Sequence, residues 1–218
     1  MYKIEDLKRF SVYVSIEPKG FLTIEDTVNQ SFHSLIAEIK ADSGAPTDSV
    51  ATSVFMRRYG FFIVAQLYLK AHQFIWDGPL DEIYIAEAAG GLSFEIHPAY
   101  IREAGEEDLA YILKKYGQPI VDDMAKKGNI SKLILWENIW GYVQWMYGSI
   151  ETAQGKKDVE ELLQDEVWQP EMRSSIFRKF LSGRTFEQSA AEYKRITCCL
   201  YKELPNQNKC PYCPHADS

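Results

Sequence analysis

All four cysteines of this chain fall between positions 198 and 213, and the 197 residues before them contain none. The segment that carries the last two, LPNQNKCPYCPHADS, is rich in proline, asparagine and glutamine. Such a stretch buries too little apolar surface to offset the entropy of ordering it. It must be pinned to the rest of the chain or to a bound group. The N-terminus, MYKIEDLKRF, has mixed charges and no apolar run of the secretory kind, so a cytoplasmic setting is expected. There, clustered cysteines serve as metal ligands or redox groups rather than as structural disulfides.

The spacing is C-C-x10-C-x2-C: Cys198, Cys199, Cys210 and Cys213. Four thiolates satisfy a zinc ion or an iron–sulfur cluster. A C-x2-C pair turns both sulfurs toward one metal with ease. An adjacent pair does not, because neighbouring side chains diverge. A group with two irons offers ligand positions farther apart, which favours [2Fe–2S] and leaves zinc open. Pro211 and Pro214 stiffen the loop and remove two backbone donors. His215 is read as an exposed tail residue, with a spare metal ligand as the second reading; His33, His72 and His97 form no motif. A thiol–disulfide motif at Cys210–Cys213 is disfavoured, since the flanking prolines suit a helix start poorly.

Net charge is −7, which opposes general nucleic-acid binding. Residues 171–210 are nevertheless basic, with eight Lys/Arg against four acids. Lys194, Arg195 and Lys209 flank the cysteines. They are the candidates for contacting an anionic substrate or offsetting the charge of a thiolate-bound group.

The rest reads as a helix-rich body. Alternation over 10–16 predicts a strand, and 25–41 predicts a helix. After the SGAP break, Thr47 or Asp48 caps a long helix to about His72, apolar on most sides and therefore buried. Arg57 and Arg58 interrupt it. They are read as surface snorkelling or ion-paired residues, with contact to an anionic ligand as the second reading. WDGPL is a turn. Segments 82–86 and 92–96 flank Ala89-Gly90-Gly91 as an antiparallel hairpin ended by Pro98. Residues 105–127 form a helix kinked near Gly117–Pro119 and stopped by Gly128. Residues 131–150 form a central helix whose face Glu137, Gly141, Gln144, Gly148 lacks large apolar groups and permits close approach. Trp136, Trp140 and Trp145 are read as core, with ligand stacking as the second reading. Shorter helices are expected at 157–165, 171–182 and 186–196. No stretch reaches 18 uninterrupted apolar residues, so no transmembrane helix is expected.

The segment ITCCLYKELPNQNKCPYCP resembles the C-terminal signature of FhuF-type ferric siderophore reductases. The matching residues are Arg195, Cys198, Cys199, Tyr201, Leu204, Pro205, Cys210, Cys213 and Pro214. The match covers roughly the last 25 residues; the body is similar only in length and helix content to the C-terminal part of citrate-type siderophore synthetases. The resemblance implies a [2Fe–2S] protein that reduces siderophore-bound iron(III), drawing electrons from a ferredoxin or flavoprotein. Siderophore oxygens are hard donors that suit iron(III), so adding one electron loosens the metal. Citrate- and hydroxamate-type chelates both fit, and the basic flank hints at an anionic one.

The expectation is therefore a helix-dominated α+β chain with a small antiparallel sheet. Residues 1–185 form a substrate-binding body and 186–218 a cluster-binding loop folded back onto it. The protein is expected in the cytoplasm, with association at the inner membrane face left open. A structural zinc site and a plain electron carrier are the competing readings.

Overall fold

The computed structural model describes residues 4–88 and 91–215. A helical turn (Ile4–Phe10) leads into β1 (Val12–Val14), and β2 (Leu22–Thr23) runs into α1 (Ile24–Asn29). Thr23 and Asp26 cap each other reciprocally: Thr23 Oγ1 accepts from Asp26 N at 3.1 Å, and Asp26 Oδ2 accepts from Thr23 N at 3.0 Å. The expected single helix over 25–41 is two helices, because the N–H groups of Gln30 and Ser31 both donate to Asp26 O and close α1. α2 (Phe32–Ser43) then ends at Gly44, whose φ of +69° suits a residue without a side chain.

α3 (Asp48–Ala71) is the central helix. Thr47 is its cap, its hydroxyl accepting from Val50 N at 3.3 Å. Phe55, Tyr59, Phe62, Ile63 and Leu67 are buried on several sides of it. β3 (Phe74–Trp76), β4 (Ile83–Ala88), β5 (Gly91–Ile96) and β6 (Ile101–Glu103) follow. β4 and β5 form the expected hairpin, from Ile83 opposite Ile96 to Ala88 opposite Gly91; Ala89 and Gly90 lie outside the described residues.

The sheet order is β1-β5-β4-β2, and it is mixed rather than antiparallel: β1 pairs parallel with β5, Val12 opposite Phe94. A parallel pair requires a crossover, and the helices between Ile24 and Ala71 supply it. A separate antiparallel pair joins β3 to β6. Phe94 is buried edge-on to Tyr59 of α3, with centroids 5.8 Å apart, so the sheet packs on the central helix.

α4 (Asp108–Ile112) passes through a wider π turn (Leu113–Gly117) into α5 (Gln118–Lys127). The register shift falls where Pro119 supplies no N–H, at the expected kink. α6 (Lys132–Ser149) packs along α3 as the second central helix. Trp136 and Trp140 are buried with Phe177, as expected of core residues; Trp145 is 48% exposed. α7 (Ala153–Leu162), α8 (Ile176–Phe180) and α9 (Phe186–Ala191) complete a helix-dominated α+β fold. Among the described residues, no helix is long and apolar enough to cross a membrane.

Candidate functional site

The C-terminal loop is held by charges buried in α6. Glu137 is completely buried. Its carboxylate accepts from Ile196 N at 2.6 Å, from Thr197 N at 2.8 Å and from the Thr197 hydroxyl. Arg195, 7% exposed, lies 3.5 Å from the same carboxylate. Its Nη2 donates to Asn138 Oδ1 at 2.9 Å, its Nη1 to Glu137 O at 3.3 Å and its Nε to Thr197 O at 3.1 Å. A buried ion pair persists when its remaining valences are met, as they are here.

The network continues into the cysteines. Asn138 Nδ2 donates to Ser53 Oγ of α3 at 3.0 Å, and Ser53 Oγ donates to Cys199 O at 2.8 Å. Arg195 N donates to Tyr212 O at 3.0 Å, tying the first cysteine pair to the second. Cys213 N donates to Cys210 O at 3.0 Å, closing the C-x2-C turn. Between the pairs, Leu200 adopts φ +61°, and the Arg57 guanidinium stacks 4.6 Å from the Tyr201 ring centroid. Pro205 packs against Gly44, where an added Cβ would meet it at 2.7 Å.

Gly141 performs the role its helical face suggests. Tyr193 fills the notch, its hydroxyl 3.0 Å from where a Cβ would stand, and its ring lies 5.1 Å from that of Tyr212.

Cys199 and Cys210 are brought together, with Sγ atoms 3.7 Å apart. Two thiolates each about 2.3 Å from one tetrahedral metal stand about 3.8 Å apart, so this pair fits ligands sharing an ion. Burial and the neighbouring Cys199 push the Cys210 thiol up to about 11. Two close thiolates therefore need a cation to persist. Cys198 is half-buried and Cys213 buried. They do not join the pair in a ligand group: among the described residues no three or more His, Cys, Asp or Glu side chains gather to hold a metal ion. The donor chemistry thus fits a thiolate-bound group, and the geometry present is that of one pair.

A cleft of about 520 Å³ opens beside this pair, lined by Arg57, Tyr142, Trp145, Tyr193 and Tyr212 as well as Cys199 and Cys210. A larger cavity of about 680 Å³ shares Arg57 and Tyr142, but it contains no cysteine and carries Glu38, Asp42 and Glu87. The chemistry points to the smaller one. Of the expected substrate contacts, Arg195 borders the cleft with its donors engaged by the loop network. Lys194 and Lys209 are exposed and do not line it; Lys209 Nζ donates to His215 O at 2.5 Å. Arg9, which the sequence did not single out, and Trp145, read there chiefly as core, do line it. Arg57 lines it as well.

No family model matches the sequence, and no curated protein matches it.

Proposed function

We propose that the protein is a ferric siderophore reductase of the FhuF type, holding a [2Fe–2S] cluster on Cys198, Cys199, Cys210 and Cys213. The observation that supports this most is the Cys199–Cys210 pair, spaced for a shared metal and bordering a cleft large enough for a small chelate. Bound there, the cluster would supply one electron at a time at a potential set by its charge, hydrogen bonding and exposure. The chain's own residues do the remainder. Glu137, Arg195 and Asn138 fix the loop against α6 and α3. Tyr142, Trp145 and Tyr212 provide flat apolar walls for an organic chelate. Iron(III) in a siderophore gains one electron from a ferredoxin or flavoprotein by way of the protein. The iron(II) produced is poorly held by hard oxygen donors and leaves to other ligands. Release in the cytoplasm would make the metal available there.

A structural zinc site is the second reading, favoured by the same pair and by the need to pin a polar tail. The deciding experiment is an anaerobic assay of iron(II) formation from ferric siderophores, with a chemical reductant and an iron(II)-specific chelator. Iron(II) formed faster than in the protein-free control, and lost on Cys210→Ser, supports the reductase. Rates equal to the control would end that reading.

A further inference from the structure

The cleft beside Cys199 and Cys210 gathers arginines on an otherwise acidic protein. The chain carries a net −7, yet the cleft is lined by Arg9, Arg57 and Arg195 and by no carboxylate. Arg195 is neutralised by Glu137 at 3.5 Å and is committed to the loop. Arg9 and Arg57 have no such counter-charge: among the described residues neither makes an ion pair with a carboxylate. Arg57 faces Tyr201 at 4.6 Å. Its guanidinium also hydrogen-bonds the Tyr142 side chain. Arg9 lies 5.3 Å from the ring centroid of Trp145 at the rim, and its Nη2 reaches Ser149 Oγ at 3.5 Å. Ring faces hold a guanidinium in place without consuming its charge. Two oriented cations on the outer wall of the cleft favour an anionic ligand over a cationic one, beyond what offsets the thiolates.

Resting on the reductase reading, we propose that the cleft selects ferric chelates of net negative charge, with Arg57 inside and Arg9 at the rim as the residues that read that charge. The wall of Tyr142, Trp145 and Tyr212 contacts the organic scaffold whatever its charge, so affinity for a neutral chelate rests on these rings alone.

Gallium(III) complexes test this without electron transfer, because gallium(III) matches the charge of iron(III) and is not reduced. Calorimetric titration of the isolated protein would use a trianionic gallium tris-catecholate and a neutral gallium tris-hydroxamate of similar size. The anionic complex is expected to bind at least tenfold tighter. Arg57→Gln should weaken it about tenfold, the scale of one charge-assisted hydrogen bond, and leave the neutral complex within about twofold. Should Arg57→Gln fail to fold, Arg9→Gln at the exposed rim must give the same selective loss, by a few-fold. Equal affinities for the two complexes, no binding of either, or an equal loss of both on substitution would overturn the inference. The two proposals fail separately. Charge-selective gallium binding without iron(II) production sinks the reductase and keeps the selectivity. Reduction of all ferric chelates regardless of charge does the reverse.

Discussion

The carboxylate of Glu137 accepts both the backbone N–H and the hydroxyl of Thr197, one residue before the first cysteine. A fully buried acid on the central α6 helix thereby fixes where the polar C-terminal loop begins.

Removing that acid should loosen the loop. Glu137→Ala leaves the buried Arg195 without its counter-charge, which costs about 3–5 kcal/mol. The expected result is a lower denaturation midpoint and faster amide exchange at Ile196 and Thr197. Hydrogen exchange by mass spectrometry checks it. Unchanged protection at those amides would mean that the loop is held by other contacts.

Filling the notch at position 141 should act on the cleft. Gly141→Leu drives a side chain into Tyr193, and overpacking of this kind costs about 1–3 kcal/mol. Tyr193 should move away from Tyr212, and chelate affinity should fall more than stability does. Parallel titration and denaturation of the variant separate the two effects.

Each cysteine should be required. Replacing any one of Cys198, Cys199, Cys210 or Cys213 by serine should lower bound iron and abolish reduction. Iron content and iron(II) formation measured on the four variants check this. A variant with full iron and full activity would remove that residue from the ligand set.

Acid should weaken the connection between β6 and α4. Arg102 donates to both carboxylate oxygens of Asp108, at 2.8 and 2.9 Å, and Gly105 N donates at 2.6 Å. The Arg102 hydrogen bonds, together with Gly105 and against the opposing effect of burial, hold the Asp108 carboxyl below its ordinary value. A lowered folded-state pKa contributes stability above the unfolded-state value, about 3.9, and loses it as pH falls through the folded-state value. Denaturation midpoints from pH 7 down to pH 2 should therefore drop more in the wild type than in Asp108→Asn below about pH 4. Parallel curves would show that Asp108 does not contribute to the acid sensitivity.

What the sequence made legible follows the range of the interactions concerned. α3, its Thr47 cap, the β4–β5 hairpin and the kink near Pro119 rest on neighbours within a few residues, and periodicity and turn chemistry reveal them. The parallel partner of β1 does not, because Val12 meets Phe94 across several helices and no local pattern encodes that pairing. The break between α1 and α2 had only the polar Gln30-Ser31 step as a signal. In the site, the cysteine spacing and the open face of α6 were visible. That Glu137 on this face would meet Thr197 and Arg195 was not, since a lone acid in an apolar helix does not name its partner. Trp145 lies one helical turn beyond Gly141, and that spacing could have placed it beside the notch rather than in the core.

The central claim is that the four cysteines hold an iron–sulfur cluster. A visible absorption spectrum with iron and sulfide analysis on anaerobically purified protein tests it most directly. The account predicts red-brown absorption that bleaches with dithionite, and iron and sulfide in equal amounts. A colourless protein that carries zinc, and that stays colourless after attempted cluster reconstitution, would contradict it.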